Sequence, residues 1–269
     1  MSRWVDESIW IWQGFMESPL QLVWALGLMV FAIALSTWQR LGLEGNLALA
    51  TGRTVLQLLV VGYVLAAVFA FKNPLLVLGF LAVMLVTATI TARNRISQKV
   101  PNLLAIVGGA MLLGTMLTLV YTMLFVIQPP TWYDPQFLIP LAGIVLGNSM
   151  NAAALAGERL VSTLNASQLE IETHLSLGAT PQQAVSRYRK EAVKAGLIPT
   201  INTMMVVGLV TLPGIMTGQL LSGVPPLVAT SYQMVIMFML AFTTLVTTLL
   251  VASGICRQFF NPAGQLTLW

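Results

Sequence analysis

Residues 195–256 contain no Asp, Glu, Lys or Arg, and this stretch constrains the fold more than any other part of the chain. It is long enough to cross a bilayer about twice, since a membrane-spanning helix takes roughly 20 apolar residues. Only 8% of all residues are charged, against roughly 25% in an average soluble domain. The sequence therefore predicts an integral membrane protein, and charges this sparse argue against a nucleic-acid-binding surface.

Apolar windows of spanning length recur along the chain, and we number them spans 1 to 7. They fall near residues 20–38, 54–71, 74–92, 103–127, 137–157, 199–222 and 227–256. Each window is continuously apolar rather than alternating, which excludes a transmembrane β-barrel and favours helices that satisfy their own backbone hydrogen bonds. We predict an all-α polytopic fold with about seven transmembrane helices, a single transmembrane domain over residues 19–260 and a tail over 261–269.

Residues 1–18 follow a different pattern. Trp4, Ile9 and Trp12 recur at helical spacing between polar residues, and no signal-peptide cleavage pattern is present. We expect this segment to lie along the membrane interface with its tryptophans at headgroup depth. A frayed polar tail is the alternative.

The basic residues fix the orientation, because cytoplasmic loops retain Lys and Arg. Eleven of the thirteen follow spans 1, 3, 5 and 7, and only Arg3 and Lys72 fall on the other side. The loops at 128–136 and 223–226 contain no Lys or Arg. We therefore predict an external N-terminus and a cytoplasmic C-terminus.

The middle of each span lacks Asp, Glu, Lys, Arg and His. Charges are retained inside spans for ion coupling and proton relays, so this pattern argues against an ion-coupled carrier. A channel, whose pore can be lined by carbonyls and hydroxyls, stays open as an alternative, as does a seven-helix receptor. The single cysteine, Cys256, excludes an intramolecular disulfide and a Cys-based structural zinc site.

Span 6 is interrupted by Pro213 and Gly214, which remove a helical hydrogen bond inside the membrane. Such a break is tolerated where it is buried in protein or lines a cavity, and a plain packing kink is the alternative. Gly214 and Gly218 also form a GxxxG pair, as do Gly143 and Gly147 in span 5. Candidates for a translocation path are the polar, sulfur-containing and kink residues of spans 6 and 7, with no metal site assigned among them: Asn202, Met204, Met205, Pro213, Gly214, Met216, Gly218, Gln219 and Gln233.

Residues 158–198 form the one large polar loop and carry His174, the only histidine. Apolar residues on one helical face predict that span 5 continues beyond the membrane until Gly178, a natural helix stop. Thr180, Pro181 and Gln183 then read as a capping box with proline at the first helical position, which predicts a second helix to about Gly196. This second helix is basic, so it suits anionic lipid or an acidic groove on a partner.

The segment ETHLSLGATPQQAVSRYRKEA resembles the cytoplasmic loop by which permease subunits of ATP-binding cassette (ABC) transporters dock their ATPase. The importer form of this loop has small residues where Thr173 and His174 stand. A closer resemblance runs from about Leu41 to Phe260, to the FetB-type (YbbM-type) permease family that includes plant aluminium-tolerance permeases. It is carried by Arg53, Gln57, Gly62, Glu172 through Pro181, Asn202, Met204 and residues 208–223.

This resemblance implies a permease without its own ATPase, and the sequence indeed lacks the GxxxxGK[ST] phosphate-binding motif. A separate cytoplasmic ATPase would supply the energy from ATP, two copies of it binding a permease homodimer in a bacterial inner membrane. The implied cargo is a metal of the iron type, with a nucleotide sugar or other small organic solute as the alternative. A non-transporting membrane assembly protein is the alternative of another class. The residues implied in ATPase coupling are Glu172, Gly178, Ala179, Thr180, Pro181 and Arg187.

Overall fold

The computed structural model describes residues 19–267 except Lys72 and Gln98, so the segment predicted at the interface, residues 1–18, lies outside this range. The described residues are largely helical with no strand, which confirms the all-α prediction. In chain order the helices are α1 (Pro19–Trp38), α2 (Glu44–Phe71), α3 (Pro74–Ile96), α4 (Leu103–Tyr121), α5 (Pro135–Ala166), α6 (Gln168–Ser176), α7 (Pro181–Ala184), α8 (Ser186–Val206), α9 (Gly214–Leu221) and α10 (Pro226–Gln258). A π-helical segment, Thr122–Ile127, extends α4.

Five helices in the described residues are long and apolar enough to cross a membrane: Glu44–Phe71, Pro74–Ile96, Leu103–Ile127, Pro135–Ala166 and Pro226–Gln258. Val23–Trp38 is a shorter apolar helix at span 1. Span 6 is not one helix: it consists of the end of α8, a non-helical segment over 207–213, and α9. The chain is therefore a multi-pass membrane protein whose sixth span is broken, as Pro213 and Gly214 indicated.

Contacts divide the chain into two compact units, with boundaries after Phe71, Pro213 and Thr230. The first unit contains α1, α2, α9 and the first turn of α10. Its α1–α2 hairpin turns through Gly42, where φ is +68°. Ser36 Oγ lies 3.5 Å from Glu44 Oε2 across this turn, and Glu44 also places a negative charge at the positive end of the α2 dipole.

The second unit contains α3 to α8, the rest of α10 and the C-terminal residues. Its core runs without interruption from the membrane helices into the polar loop. Val161, Leu164 and Ile171 are buried and Leu175 packs against the same core, as the apolar face predicted beyond span 5 requires. Ser167 separates α5 from α6, so this extension is two helices rather than one.

Four close helix contacts in this unit each depend on a glycine. In one of them, a Cβ atom on Gly254 of α10 would clash with the side chain of Ile106 in α4. A Cβ atom on Gly114 of α4 would lie 2.7 Å from Thr247 Oγ1 of α10. A Cβ on Gly157 of α5 would meet the side chain of Ile96 in α3 at 2.5 Å. A Cβ on Gly196 of α8 would lie 2.9 Å from the carbonyl oxygen of Ala152 in α5 and 2.7 Å from Thr248 Cγ2. These distances leave no room for a side chain, as is common where membrane helices pack.

The contact at Gly196 also corrects one sequence-based expectation. The second helix of the polar loop does not end near Gly196: α8 continues through Gly196 and Pro199 to Val206. The glycine serves close packing instead of termination, and tertiary contact overrides the local helix-breaking signal. One continuous helix therefore joins the polar loop to the membrane core.

We predict that Gly196→Ala lowers the free energy of unfolding by about 1–3 kcal/mol, because the new methyl group meets a backbone carbonyl that cannot rotate away. Gly109→Ala in α4 is the matched control, since no atom lies within 4 Å of its Cβ position. The control should be neutral or stabilising by up to about 1 kcal/mol, the helix-propensity difference. Thermal unfolding in detergent measures both, and equal melting temperatures for the two variants would contradict the prediction.

Candidate coupling site

The polar loop turns sharply at Gly178, the predicted helix stop. Gly178 has φ +90°, a left-handed conformation that glycine adopts without steric cost. Its N–H donates to the Leu175 carbonyl, and the Ala179 N–H donates to the His174 carbonyl, both at 3.0 Å. This pair of bonds is a Schellman motif, which satisfies carbonyls left open at the end of α6. The end of α6 is therefore fixed by local hydrogen bonds.

The chain re-enters helix immediately through the predicted capping box. The Gln183 N–H donates to Thr180 Oγ1 at 3.3 Å, and the Thr180 N–H donates to Gln183 Oε1 at 2.9 Å. Pro181 occupies the first helical position, where its missing N–H costs nothing. The helix that begins here, α7, has four residues, and α8 follows after Val185. We name residues 177–183 the elbow.

Two leucines in and near the elbow are exposed although they lie outside the apolar spans. Leu169 is 79% exposed and Leu177 is 80% exposed. Glu172, between them, accepts a hydrogen bond from Gln168 Nε2 at 2.9 Å and is otherwise on the surface. These two side chains are therefore available to a partner that approaches the polar loop.

The start of α8 presents a basic surface next to the elbow. Arg187 Nε lies 3.1 Å from Glu191 Oε1, and this hydrogen bond raises the pKa of Arg187 further. Lys190 and Lys194 are exposed on the same helix. Together with His174 they line an open cleft of about 530 Å³. The surface beside the elbow is thus apolar at its leucines and cationic along α8.

The opposite face of α8 packs against the hydrophobic core. Tyr188 is 6% exposed and belongs to the core that contains Ile171 of α6. Burial raises the pKa of the Tyr188 phenol, and the nearby Glu170 carboxylate raises it further. The phenol therefore stays neutral at physiological pH and serves as a packing residue.

At its other end α8 enters a polar contact with two membrane helices. Asn148 Nδ2 of α5 donates to Thr200 Oγ1 of α8 at 3.1 Å and to Thr244 Oγ1 of α10 at 2.6 Å. Thr200 and Thr244 are buried, and their hydroxyls lie 3.5 Å apart. We name Asn148, Thr200 and Thr244 the amide-hydroxyl triad. It joins the helix that leaves the elbow to two spans.

Further buried threonines extend this polar contact along α10. The hydroxyls of Thr118 in α4 and Thr243 face each other, and each also lies within hydrogen-bonding distance of the carbonyl four residues earlier in its helix. Each hydroxyl has one proton, so one of the two donates to the other and the second donates to its own helix carbonyl. Neither the triad nor these threonines were predicted from the sequence. The available signal was the repeat of threonine pairs at 243–244 and 247–248, one helical turn apart, in an otherwise apolar span.

The break in span 6 is a tight turn that satisfies its own backbone. After α8 ends at Val206, the carbonyl of Val206 accepts hydrogen bonds from the N–H groups of Leu209, Val210 and Thr211. The Gly208 N–H donates to the Thr211 carbonyl at 2.9 Å, with φ +82° at Gly208. The boundary between the two units falls directly after this turn, at Pro213.

The translocation-path candidates are distributed over both units. Asn202, Met204, Met205 and Pro213 lie in the second unit, where Asn202 and Met205 are exposed on α8. Gly214, Met216, Gly218 and Gln219 lie in α9 of the first unit, and Gln233 lies in the second-unit part of α10. The structure therefore distributes these candidates over the two units, four of them in α9.

Two of the path candidates are distinguished by their side-chain amides. Gln219 Oε1 and Gln233 Oε1 are both buried, and neither accepts a hydrogen bond within the described residues. Gln233 is only 4% exposed. Each is a neutral oxygen acceptor with free hydrogen-bonding capacity inside the protein.

The glycines of the two GxxxG pairs have few close neighbours on other helices. No described atom lies within 4 Å of a Cβ position on Gly147, Gly214 or Gly218, and Gly143 meets only the end of Met84 at 3.1 Å. The glycines that make the closest contacts are Gly114, Gly157, Gly196 and Gly254, none of which belongs to these pairs.

The chain matches a known family over nearly all of its described length. The family described as Uncharacterised protein family (UPF0014) matches residues 19–260. The chain belongs to this family. UPF0014 membrane protein slr1647 of Synechocystis sp. is 52% identical over 90% of this chain and 94% of the relative.

Two further relatives agree with the resemblance drawn from the sequence. The probable iron export permease protein FetB of Escherichia coli is 34% identical over 92% of this chain and 94% of the relative. Protein ALUMINUM SENSITIVE 3 of Arabidopsis thaliana is 32% identical over 94% and 91%. The predicted family membership is confirmed. No solved structure matches this chain.

We predict that Thr180→Ala weakens the start of α7 by about 1 kcal/mol, because the hydroxyl that accepts from the Gln183 N–H is lost. Hydrogen exchange at the Gln183 amide should then accelerate by about fivefold. Thr180→Ser keeps the acceptor oxygen and should exchange like the wild type. An unchanged Gln183 amide in Thr180→Ala would show that the capping box does not hold the elbow.

Proposed function

We propose that this chain is the permease subunit of an ABC transporter, which exports a metal of the iron type by means of a separate cytoplasmic ATPase. The observation that carries the proposal is the course of α8, which begins at Ser186, just after the elbow and the short helix α7, and is continuous to the amide-hydroxyl triad. A partner that moves the elbow would act on a helix of 21 residues, about 30 Å long. The relative named as a probable iron export permease supports the direction and the cargo.

In this mechanism the ATPase docks on the elbow from the cytoplasm. Leu177 enters an apolar groove of the ATPase, and Glu172, Ala179, Thr180 and Pro181 lie at the same contact. Arg187 and the lysines of α8 face acidic groups on its rim. ATP binds only to the partner subunit, and two permease copies with two ATPase copies form the transporter in the bacterial inner membrane. Anionic lipid surrounds the basic cytoplasmic face.

The motion then reaches the spans through α8. Displacement of Thr200 alters its hydrogen bonds with Asn148 and Thr244, and so shifts α8 against α5 and α10. The turn at 207–213 ends this rigid helix and begins α9, so it is the position at which the movement opens or closes the path. The path itself would be lined by the polar and sulfur-containing candidates of spans 6 and 7.

A small organic solute such as a nucleotide sugar is the second candidate cargo. The buried amide oxygens of Gln219 and Gln233 favour it, because neutral amides recognise hydroxyl groups through directional hydrogen bonds. A divalent metal ion prefers carboxylate or imidazole ligands. Amides, hydroxyls and thioethers would suit a chelated metal or a soft ion such as Cu(I).

Substrate-stimulated ATPase activity distinguishes these cargoes. The purified permease is reconstituted with its ATPase and tested with Fe(II), Cu(I), Al(III) and UDP-glucose in turn. We expect iron to raise the rate of ATP hydrolysis, and stimulation by UDP-glucose alone would establish the organic cargo. Conductance in planar bilayers without ATP would instead indicate a channel.

We predict that Gly178→Pro abolishes transport while membrane insertion stays intact. Proline cannot adopt φ +90° and lacks the N–H that donates to the Leu175 carbonyl, so the elbow loses its shape. Gly178→Asn is the control, since asparagine tolerates the left-handed conformation and should keep most of the activity. Transport by Gly178→Pro at the wild-type rate would refute the coupling role of the elbow.

We also predict that Glu172→Lys abolishes transport, because it reverses a surface charge between the two exposed leucines. Glu172→Gln keeps the shape of the side chain and should lose less activity. The measurements are ATPase co-purification and transport in vesicles. Normal values for both in Glu172→Lys would remove Glu172 from the docking surface.

A further inference from the structure

The residues after span 7 form an ordered turn instead of a loose tail. Asn261 organises this turn: its N–H donates to the Gln265 carbonyl at 3.0 Å, and its Oδ1 accepts from the Gln265 N–H at 2.9 Å. The Gly264 N–H donates back to the Asn261 carbonyl at 2.9 Å, with φ +75° at Gly264. The Thr267 N–H closes the turn on the Phe259 carbonyl. We name residues 259–267 the C-terminal turn.

The C-terminal turn packs on the same hydrophobic core as the residues that directly follow the elbow. Phe259 is fully buried, and Phe260 and Leu266 pack against the same core. This core also contains Ala184 of α7 and Tyr188 of α8. The turn and the start of the coupling helices therefore rest on one set of buried side chains.

The C-terminal turn also lies close to the elbow. A Cβ atom on Gly264 would lie 3.5 Å from Cγ of Pro181, the first residue of the capped helix. Pro262, Ala263 and Gln265 are exposed next to this contact. The exposed face of the turn thus continues the surface of the elbow.

A stable protein interface needs more surface than the elbow alone provides. A standard interface takes roughly 20–30 residues from each partner. The elbow, residues 177–183, supplies only a small part of this number even together with Glu172 and the basic residues of α8, and the adjoining turn supplies further surface. The turn contains no charged residue between Gln258 and Thr267, so it lacks the basic side chains that anionic lipid would attract.

We propose that the C-terminal turn is a second part of the ATPase docking surface. The inference rests on the proposed function of the elbow. Residues 261–267 lie beyond the family match, which ends at residue 260. The partner would carry an apolar groove for Leu177 and, beside it, an uncharged surface that fits Pro262 and Ala263.

The test compares charge variants at the tip of the turn with variants at a distant loop. Ala263→Glu and Ala263→Arg alter an exposed side chain without touching Phe259 or Leu266. We expect each to weaken binding of the purified ATPase by at least about fivefold, the usual threshold for an important interface residue. Thr131→Glu and Thr131→Arg, in the loop that precedes α5, are the controls and should bind like the wild type.

A labelling experiment addresses the same surface with a smaller change. Cys256 is buried, so the wild-type chain is the blank for a membrane-impermeant maleimide. Ala263→Cys adds one exposed thiol, and the ATPase should slow its labelling by about tenfold, as expected for a thiol covered by an interface. Labelling of Thr131→Cys should not change when the ATPase is added.

The outcomes separate this inference from the proposed function. Leu177→Asp tests the elbow alone and should weaken ATPase binding in parallel. If Leu177→Asp weakens binding while the Ala263 charge variants bind normally and Ala263→Cys is labelled at an unchanged rate, the C-terminal turn is only a packing element. If Leu177→Asp also binds normally, the elbow is not a docking site and the proposed function fails with it.

Discussion

The contact of α8 with α5 at Gly196 is the interaction on which the arrangement of the second unit depends. The backbones approach so closely that a Cβ atom would lie 2.9 Å from the Ala152 carbonyl oxygen. Because α8 is continuous, this one contact fixes both of its ends. Toward the membrane it places Thr200 against Asn148, and toward the polar loop it holds Tyr188 in the core. A single glycine thus determines how the polar loop is joined to the spans.

The hydrogen bonds near this contact contribute little free energy to the association of the helices. The hydroxyls of Thr243 and Thr248 each lie within hydrogen-bonding distance of a carbonyl in their own helix, so their burial does not require a partner on another helix. Hydrogen bonds between membrane helices contribute only about 0.6 kcal/mol on average. A buried ion pair would cost several kcal/mol to break. The interface of α8 is therefore held mainly by the fit of its surfaces, and its polar bonds can change partners at small cost.

Local sequence signals predicted the elbow, but they did not predict the course of α8. The capping box and the Gly178 stop depend on neighbouring residues alone, so Thr180, Pro181 and Gln183 were sufficient to identify them. Gly196 and Pro199 are also helix breakers by local rules, yet α8 passes through both. Their effect is overridden by packing against α5, which no local pattern records. The same limit applies to the GxxxG pairs, of which only Gly143 has a close neighbour, because spacing alone does not say which helix face meets another helix.

The exposed leucines of the polar loop and those of the spans have different surroundings. An exposed leucine in a span meets lipid, whereas Leu169 and Leu177 stand among Gln168, Glu172 and Ser176. Burying one leucine side chain is worth about 1.5–3 kcal/mol. The Schellman motif and the capping box already fix the backbone on both sides of Gly178. A partner that covers Leu177 would therefore not have to order the chain first, and most of the apolar gain would go into association.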